Sequence, residues 1–224
     1  MQKNVGPSKS APGSVASRAV DRAIERRRAA YEEEVMRLVE ASFVVIQKTG
    51  NLEPRVNEIV AHAGLSNQAF YKHFQSKDEL LLAVLDEGSR MLRSYLEHRM
   101  DKVKSPERKI HQWIDGMVEQ VFNPEAAHAT RPFALSRGRL SEQFPEEVRD
   151  SERQLTALLR EAIKAAAIAG EIPAADPDRD SEIVYNTVMG WMVHKLSSSP
   201  PKKADVQHLM TFIIHGLRRG MEPK

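Results

Sequence analysis

The sequence predicts an all-α protein. Through most of the 224 residues, apolar side chains recur at spacings of three and four, which places them on one face of a helix. Proline, glycine and serine interrupt this pattern at points where helices commonly begin or end. No segment alternates apolar and polar residues as a half-buried strand does, and no linker separates two cores.

The first helix is predicted to begin near Arg18. It follows a tail rich in serine, proline and glycine, which we expect to be disordered over residues 1–17. Its apolar face runs from Tyr31 to Ile46, and Gly50 ends it. The arginine-rich beginning of this helix is expected to project beyond the core.

A second and a third short helix follow, joined by a tight turn. Pro54 stands where a helix can begin, and Gly64 can adopt the left-handed conformation that ends one. Ser66 is a good N-cap for the third helix, which the pattern places from Asn67 to Phe74. The phenylalanine rings of this third helix are expected to face the core.

The later helices have equally distinct boundaries. Ser76 and the acidic residue three positions later form a capping box, which opens a long fourth helix. That helix is predicted to reach about Met100, and others are predicted from Ser105 to Phe122, in short pieces from Asn123 to Phe144, from Glu146 to Ala169, from Asp176 to Pro200 and from Lys203 to Leu217.

The composition limits the possible classes of protein. The chain has no cysteine, which excludes disulfides and thiolate metal sites and favours a reducing compartment. No apolar run approaches the roughly 20 residues that cross a bilayer. The first residues also lack the apolar stretch of a signal peptide. We therefore expect a cytoplasmic protein without a membrane segment.

The net charge of +2 is unevenly distributed. Residues 1–31 hold seven lysines and arginines against two acids, a net charge of +5, so the remainder carries −3. A basic end on a nearly neutral body is typical of a chain that binds a polyanion. A solubilising tail explains the same charge equally well.

The turn between the second and third helices indicates a helix-turn-helix. In that motif the helix after the turn enters the major groove of DNA while the helix before it braces it. The outer side of the third helix carries Asn67, Gln68, Tyr71 and Lys72. The two amides suit the edge of adenine, whereas Tyr71, Lys72 and His73 can reach phosphates. Lys77 adds a cation at the start of the fourth helix, a natural phosphate site. The alternative interpretation is that the third helix is a surface helix of an ordinary bundle.

These residues carry a resemblance to a known family. The segment RVNEIVAHAGLSNQAFYKHFQSKDELLLAVL, from Arg55 to Leu85, resembles the DNA-binding segment of TetR-family repressors. The Gly-hydrophobic-Ser turn, the Tyr-x-His-Phe end and the Ser-Lys-acidic-Glu-Leu-Leu opening carry it. The resemblance implies an all-α homodimer, a ligand-sensing C-terminal domain and a palindromic operator. It further implies phosphate contacts for Tyr71, His73 and Lys77, and it puts Ser66, Asn67 and Gln68 nearest the bases.

Two positions depart from the family's pattern. Arg55 stands where the family usually has a threonine that caps the second helix and touches a phosphate. An arginine can still reach a phosphate, but the cap is lost. Val60 replaces the small residue that is common where the second and third helices meet, so we expect a slightly wider approach there.

A ligand pocket is expected among large apolar side chains of the fourth to sixth helices. The candidates are Tyr95, Trp113, Met117 and Phe133, although ordinary core packing explains each of them singly. His98, His111, Arg131, Arg137 and Asn186 are polar residues that could orient a ligand, and each is more often a surface residue.

The last two helices suggest a dimer interface, because their apolar faces are wider than one neighbour in the same chain requires. The candidates are Ile183, Thr187, Gly190, Trp191, Leu209, Ile213 and Leu217. Glycine within a helix costs about 1 kcal/mol relative to alanine, a cost most easily accepted where another helix comes close. Two helices from each subunit would form a four-helix bundle. Packing within the monomer alone is the alternative.

We therefore expect a helix-turn-helix domain at residues 18–76 and a helical ligand-binding and dimerisation domain at residues 77–224. The expected function is that of a ligand-responsive transcriptional regulator, a repressor that a small-molecule effector releases from operator DNA. A DNA-binding protein without a ligand and an enzyme on a helical bundle are the alternatives. No cofactor is expected, and no metal, because the eight histidines are scattered without a His-x-x-x-His pair.

Overall fold

The computed structural model describes residues 13–198 and 201–219. These residues form ten α-helices and no strand, which confirms the all-α prediction. The helices are α1 (Val15–Thr49), α2 (Val56–Ala63), α3 (Asn67–His73), α4 (Lys77–Met100), α5 (Pro106–Phe122), α6 (Pro124–Leu135), α7 (Arg137–Gln143), α8 (Pro145–Ile168), α9 (Pro177–Ser197) and α10 (Lys203–Leu217).

The helix α1 begins earlier than the sequence pattern predicts. The side chain of Ser14 accepts a hydrogen bond from the backbone N–H of Ser17 at 3.0 Å and so caps the first turn. Residues 15–17 are therefore helical, which corrects that part of the predicted disordered tail, whereas residues 1–12 lie outside the described residues. Gly50 ends α1 with a φ of 66°, a conformation that glycine adopts without strain.

The first four helices share a hydrophobic cluster, which we call the N-terminal core. It joins buried residues of α1, α2 and α3 with Leu80, Leu81 and Val84 of α4. Leu140 of α7 and Val148 of α8 belong to the same cluster. The N-terminal core thus extends past the predicted domain boundary at residue 77 and rests directly on later helices.

A second cluster, the C-terminal core, joins the end of α4, from Leu92 onward, with α5, α6, α8, α9 and α10. Trp113 is fully buried at its centre, and its indole N–H donates to the backbone carbonyl of Leu155 at 3.1 Å. Each large apolar side chain buried in this way contributes about 1.5–3 kcal/mol to folding. The cores meet along α4 and α8, which supply buried residues to both.

Candidate DNA-binding surface and internal cavity

The surface of α3 is divided between buried rings and exposed polar groups. Phe70 is fully buried and Phe74 is 5% exposed, with ring centroids 6.0 Å apart, so they anchor the helix on the N-terminal core. The predicted contact residues Ser66, Asn67, Gln68, Tyr71 and Lys72 are all exposed. Tyr71 is 64% exposed and presents its ring to solvent beside the two amides of the first turn.

The turn before α3 is held by contacts from three directions. Gly64 adopts a left-handed conformation with a φ of 63°, and the N–H of Leu65 donates to the carbonyl of Val60 at 2.9 Å. Ser66 caps α3 by accepting from the N–H of Ala69 at 3.1 Å. The guanidinium of Arg37 on α1 donates to the carbonyls of the last residue of α2 and of Gly64, at 2.5 and 3.2 Å.

Two further predicted contacts lie at helix starts beside α3. Lys77 is exposed in the first turn of α4, where Ser76 caps the helix by accepting from the N–H of Glu79 at 3.1 Å. Arg55 is exposed at the start of α2 and makes no side-chain cap, as the sequence indicated. The carboxylate of Glu58 accepts instead from the backbone N–H of Arg55 at 3.4 Å.

His73 does not occupy the position predicted for it, which corrects its assignment as a phosphate contact. Its side chain is fully buried, with Nε2 2.5 Å from Oε2 of Glu34 and the ring edge-on to that of Tyr31 at 4.2 Å. The same carboxylate accepts from Nζ of Lys72 at 2.9 Å. The bonds from Lys72 and His73 hold the pKa of the Glu34 carboxyl below its ordinary value. His73 therefore fixes the end of α3 against α1, because a buried ring cannot reach a phosphate.

A cavity of about 820 Å³, partly open to solvent, lies where the two cores meet. Side chains from α1 and from α4 to α9 line it, and most of them are apolar. Of the predicted pocket residues, Tyr95, Met117 and Phe133 line this cavity. Trp113 does not: it is buried in the C-terminal core with its indole bonded to the backbone, which corrects its assignment.

Few polar groups face the cavity. Arg137 lines it, alone among the five polar candidates of the sequence, and donates to Glu152 of α8 from Nε at 2.8 Å. Tyr185 lies near this pair, and burial is the main cause that raises the pKa of its hydroxyl. At another part of the wall, Tyr95 donates to Glu119 at 2.7 Å. Spacing along the chain provides no signal for Glu152, because its role depends on how α7 packs on α8.

The cavity is bounded on one side by α1, which also supports α3. The ring of Phe43 on α1 lies against that of Phe133 on α6, with centroids 5.9 Å apart. It also approaches Gly88 of α4 so closely that a Cβ at that residue would lie 2.9 Å from Cζ of the ring. A molecule in the cavity would therefore contact α1. The same helix carries Arg37, which binds the turn before α3, and Glu34, which binds the end of α3.

The predicted dimer residues divide into an exposed and a buried set. Leu209, Ile213 and Leu217 are at most 7% exposed and pack in the C-terminal core of the same chain, which corrects their place at an interface. Ile183 is 63% exposed, and Phe212 of α10, which the sequence pattern did not single out, is 68% exposed. Thr187 and Trp191 are half-buried, whereas Gly190 is exposed and a Cβ there would meet no atom within 4 Å.

Among the described residues, no helix is both long and apolar enough to cross a membrane.

Comparisons with known proteins agree on the N-terminal part and on the fold. Residues 38–84 match the family model for bacterial regulatory proteins of the tetR family. A TetR-family regulator from Mesorhizobium loti superposes with a TM-score of 0.66 at 14% identity, covering 84% of this chain and 96% of that one. FadR from Bacillus subtilis, solved with stearoyl-CoA, superposes with a TM-score of 0.65 at 16% identity, covering 84% and 99%. RolR, solved with resorcinol, gives 0.62 at 14% identity, covering 88% and 98%.

The fold and the exposed α3 define a helix-turn-helix protein with a helical body. At the identities found, the likeness to solved structures concerns the fold, whereas the match at residues 38–84 is one of sequence. Residues 38–84 therefore match the tetR family in sequence, and the chain as a whole shares the fold of TetR-family transcriptional regulators.

Proposed function

We propose that this protein is a TetR-family repressor that binds palindromic operator DNA as a homodimer and leaves it when a small-molecule effector occupies the cavity. The observation that carries the proposal is the exposed polar side of α3, held on buried phenylalanine rings beside a fixed turn. Amides, a phenol and a cation on one exposed side are the groups that bind base edges and phosphates.

Each exposed group of α3 has a role in this proposal. Asn67 and Gln68 read base edges, because an amide pairs with adenine through one donor and one acceptor. Tyr71, Lys72 and Lys77 bind phosphates, which fix the register of the helix in the groove. Ser66 keeps the first turn of α3 closest to the bases, and Arg55 offers a further phosphate contact at the start of α2.

The effector of the proposal is a mostly apolar molecule with few polar groups. A cavity of about 820 Å³ is within the usual range for small-molecule sites, and such sites are lined by apolar side chains with a few polar groups. Arg137, Glu152 and Tyr185 would be those polar groups here. FadR and RolR were solved with stearoyl-CoA and resorcinol, so this fold accepts ligands of very different size.

The effector would act through α1 and α4, which line the cavity and also carry the N-terminal core. It must bind more tightly to a state in which the two α3 helices of the dimer no longer fit successive major grooves. A ligand that displaces Phe43 would move α1, and with it the Arg37 contact that holds the turn before α3.

The homodimer of the proposal uses the exposed face of α9 and α10. Ile183 and Phe212 are large apolar groups on that face, and Gly190 leaves room for a close approach by another helix. Two copies of a self-complementary surface form a twofold dimer, the commonest solution among oligomers. Its two α3 helices would meet half-sites about 34–36 Å apart.

The two alternatives are less well supported. A DNA-binding protein without a ligand would not need a cavity of about 820 Å³ between its two cores. An enzyme would need a reactive set of side chains. Few polar groups face the cavity, and two of them, Arg137 and Glu152, are paired with each other. Binding to operator DNA requires the compartment that holds the DNA, in line with the expected cytoplasmic location.

The proposal is tested by selecting duplexes from a random pool with the full chain and then measuring the affinity of variants for the enriched duplex. Tyr71→Phe and Lys77→Ala should each weaken binding, and Lys77→Ala should also make its salt dependence shallower. Lys102→Ala is the matched control, because Lys102 is exposed and follows the far end of α4, a helix about 36 Å long that begins at Lys77.

Equal affinity for all these proteins would mean that α3 and the start of α4 do not contact the duplex. The effector part is tested separately, by screening apolar compounds for a rise in melting temperature. A compound that stabilises the protein should also release the duplex. Stabilisation without release would remove the effector from the proposal while leaving DNA binding intact.

A further inference from the structure

The first half of α1 is a helical arm that projects from the body. Every residue from Arg18 to Glu33 is exposed, and the first buried side chain of the helix is Leu38. At 1.5 Å per residue, these 16 positions correspond to about 24 Å of helix. Most of the stability of a helix in a protein comes from packing of an apolar face, and residues 18–33, which we call the arm, have little of it: Tyr31, near the end of the arm, packs on His73.

The charges of the arm oppose its own helix. Arg18, Arg22 and Arg26 follow one another at four-residue spacing on one face, and Asp21 and Glu25, three positions after the first two, offset only part of their repulsion. The first turn of α1 has no acidic residue, although the positive end of the helix dipole favours one there. Neutralisation by a polyanion would remove both penalties at once.

Three of the five arginines of the arm are available for such a partner. Arg28 pairs with Glu32 of the same helix at 2.8 Å, and Arg18 donates to the carbonyl of Gly13. Within residues 13–198 and 201–219, no ion pair involves Arg22, Arg26 or Arg27. The arm holds five arginines against four acidic residues, a net charge of +1, and these three arginines keep their charge free for a partner.

The arm leaves the body beside the DNA-reading helix. Tyr31 lies against the ring of His73 at 4.2 Å, and Nζ of Lys72 lies 5.5 Å from the centroid of the Tyr31 ring. Arg27 lies one turn before Tyr31 and shares its face, so this arginine is on the side of the arm that meets α3. Continuity with α3 and opposite charge both favour the DNA backbone as the partner.

We infer that the arm is a second DNA-binding element, which binds the phosphate backbone next to the groove that α3 reads. This inference rests on the proposed function and adds to it a contact that carries no sequence information. The other possible partner is a second arm in a coiled coil, through Val20, Ile24 and Tyr31. Arg27 falls within that stripe, and an arginine there interrupts the apolar seam that a coiled coil needs.

The test compares the full chain with a variant that carries Arg22→Gln, Arg26→Gln and Arg27→Gln. Glutamine keeps the helix propensity of arginine, so the arm should stay helical by circular dichroism. The matched control changes Lys102, Lys164 and Arg179 to glutamine, because these exposed cations are remote from the arm and remove the same charge. Both variants are titrated with the selected duplex and with a scrambled duplex of equal length, from low to high salt.

The arm variant should bind both duplexes on the order of tenfold more weakly, because phosphate contacts are blind to sequence. The slope of log K against log salt concentration should become shallower by about 0.9 for each phosphate that the arm no longer neutralises. The control should keep the affinity and slope of the wild type. Unchanged affinity of the arm variant, or a change in oligomeric state by light scattering at unchanged affinity, would overturn the inference.

The scrambled duplex separates the two proposals. It reports binding to the backbone alone, so a chain that selects no sequence would refute operator recognition and still test the arm. Selection of an operator by both the wild type and the arm variant with equal affinity would refute the arm and leave operator recognition standing.

Discussion

His73 illustrates how single side chains of this protein take part in contacts that span many residues. It lies 39 positions from Glu34, and Arg37 lies 26 positions from the carbonyl of Ala63 that it binds. The sequence predicted His73 on the polar side of α3. Its spacing of three from the buried Phe70 was the signal for an inward ring, since residues three apart share a face.

Glu34 should make stability depend on pH in the acid range. Its carboxyl has a pKa below the ordinary value because Lys72 and His73 donate to it. A lowered pKa in the folded state means that this contribution is complete above the unfolded pKa of about 4.5 and is lost as pH falls through the folded pKa. Glu34→Gln should therefore destabilise the protein at pH 7 but much less near pH 3, measured by urea unfolding.

Glu33→Gln is the control for this prediction, because Glu33 is exposed and removes the same charge without touching Lys72 or His73. If Glu34→Gln and Glu33→Gln gave the same profile from pH 7 to pH 3, the bonds to α3 would not be the source of the effect.

Gly116 should not tolerate a side chain. A Cβ there would lie 2.6 Å from Cδ2 of Leu96, which is fully buried in the C-terminal core. Overpacking of this kind costs about 1–3 kcal/mol, more than the roughly 1 kcal/mol that alanine gains in helix propensity. Gly116→Ala should thus lower the free energy of unfolding, measured in urea. Gly138→Ala, where the new Cβ meets no atom within 4 Å, should leave it unchanged or raise it.

At the scale of elements, the ends of helices were more predictable than the faces they bury. Ser66, Ser76 and Ser105 each accept a hydrogen bond from the third residue of the helix that follows, as their positions in the sequence indicated. Which side of α10 packs inward was not predictable, because its apolar stripe is wide enough for two neighbours. Burial of Ile213 in the same chain leaves Phe212 outside.

The dimer surface is tested by changing its exposed residues. Ile183→Asp with Phe212→Asp should leave the folded monomer nearly as stable, since both side chains are exposed in a single chain. The double variant should be monomeric by light scattering and should lose the selected duplex, because one α3 binds too weakly alone. Leu135→Asp, at another exposed apolar residue, is the control and should remain dimeric. A double variant that stays dimeric would place the interface elsewhere.

At the scale of the whole molecule, the sequence predicted the class of fold and the DNA-binding segment but not the junction between the cores. The helix-turn-helix depends on local signals such as Gly64 and Ser66, which are legible in a short segment. The junction depends on which buried faces of α4, α7 and α8 meet, and residues such as Leu140 have no local signature. The cavity, which α1 lines on one side, exists because the two cores meet in this way.

The junction predicts that the two cores unfold together. Leu140 lies in α7 but belongs to the N-terminal core, where it is 2% exposed. Leu140→Ala should cost about 2–5 kcal/mol and lower the urea midpoint equally by circular dichroism and by fluorescence, since both tryptophans lie in the C-terminal part. Leu135→Ala, at an exposed leucine of α6, should cost less than about 0.5 kcal/mol. Different midpoints by the two probes would show that the cores unfold separately.

The central claim is that α3 reads bases in the major groove, and the most direct test repeats the selection of duplexes with Gln68→Ala. Gln68 is exposed on the first turn of α3, so its loss should leave the folded protein intact. The variant should still enrich a palindrome, with preference lost at one symmetric pair of positions and discrimination there reduced by about 1–3 kcal/mol. Enrichment of the same sequence by both proteins, with every position retained, would contradict base reading by α3.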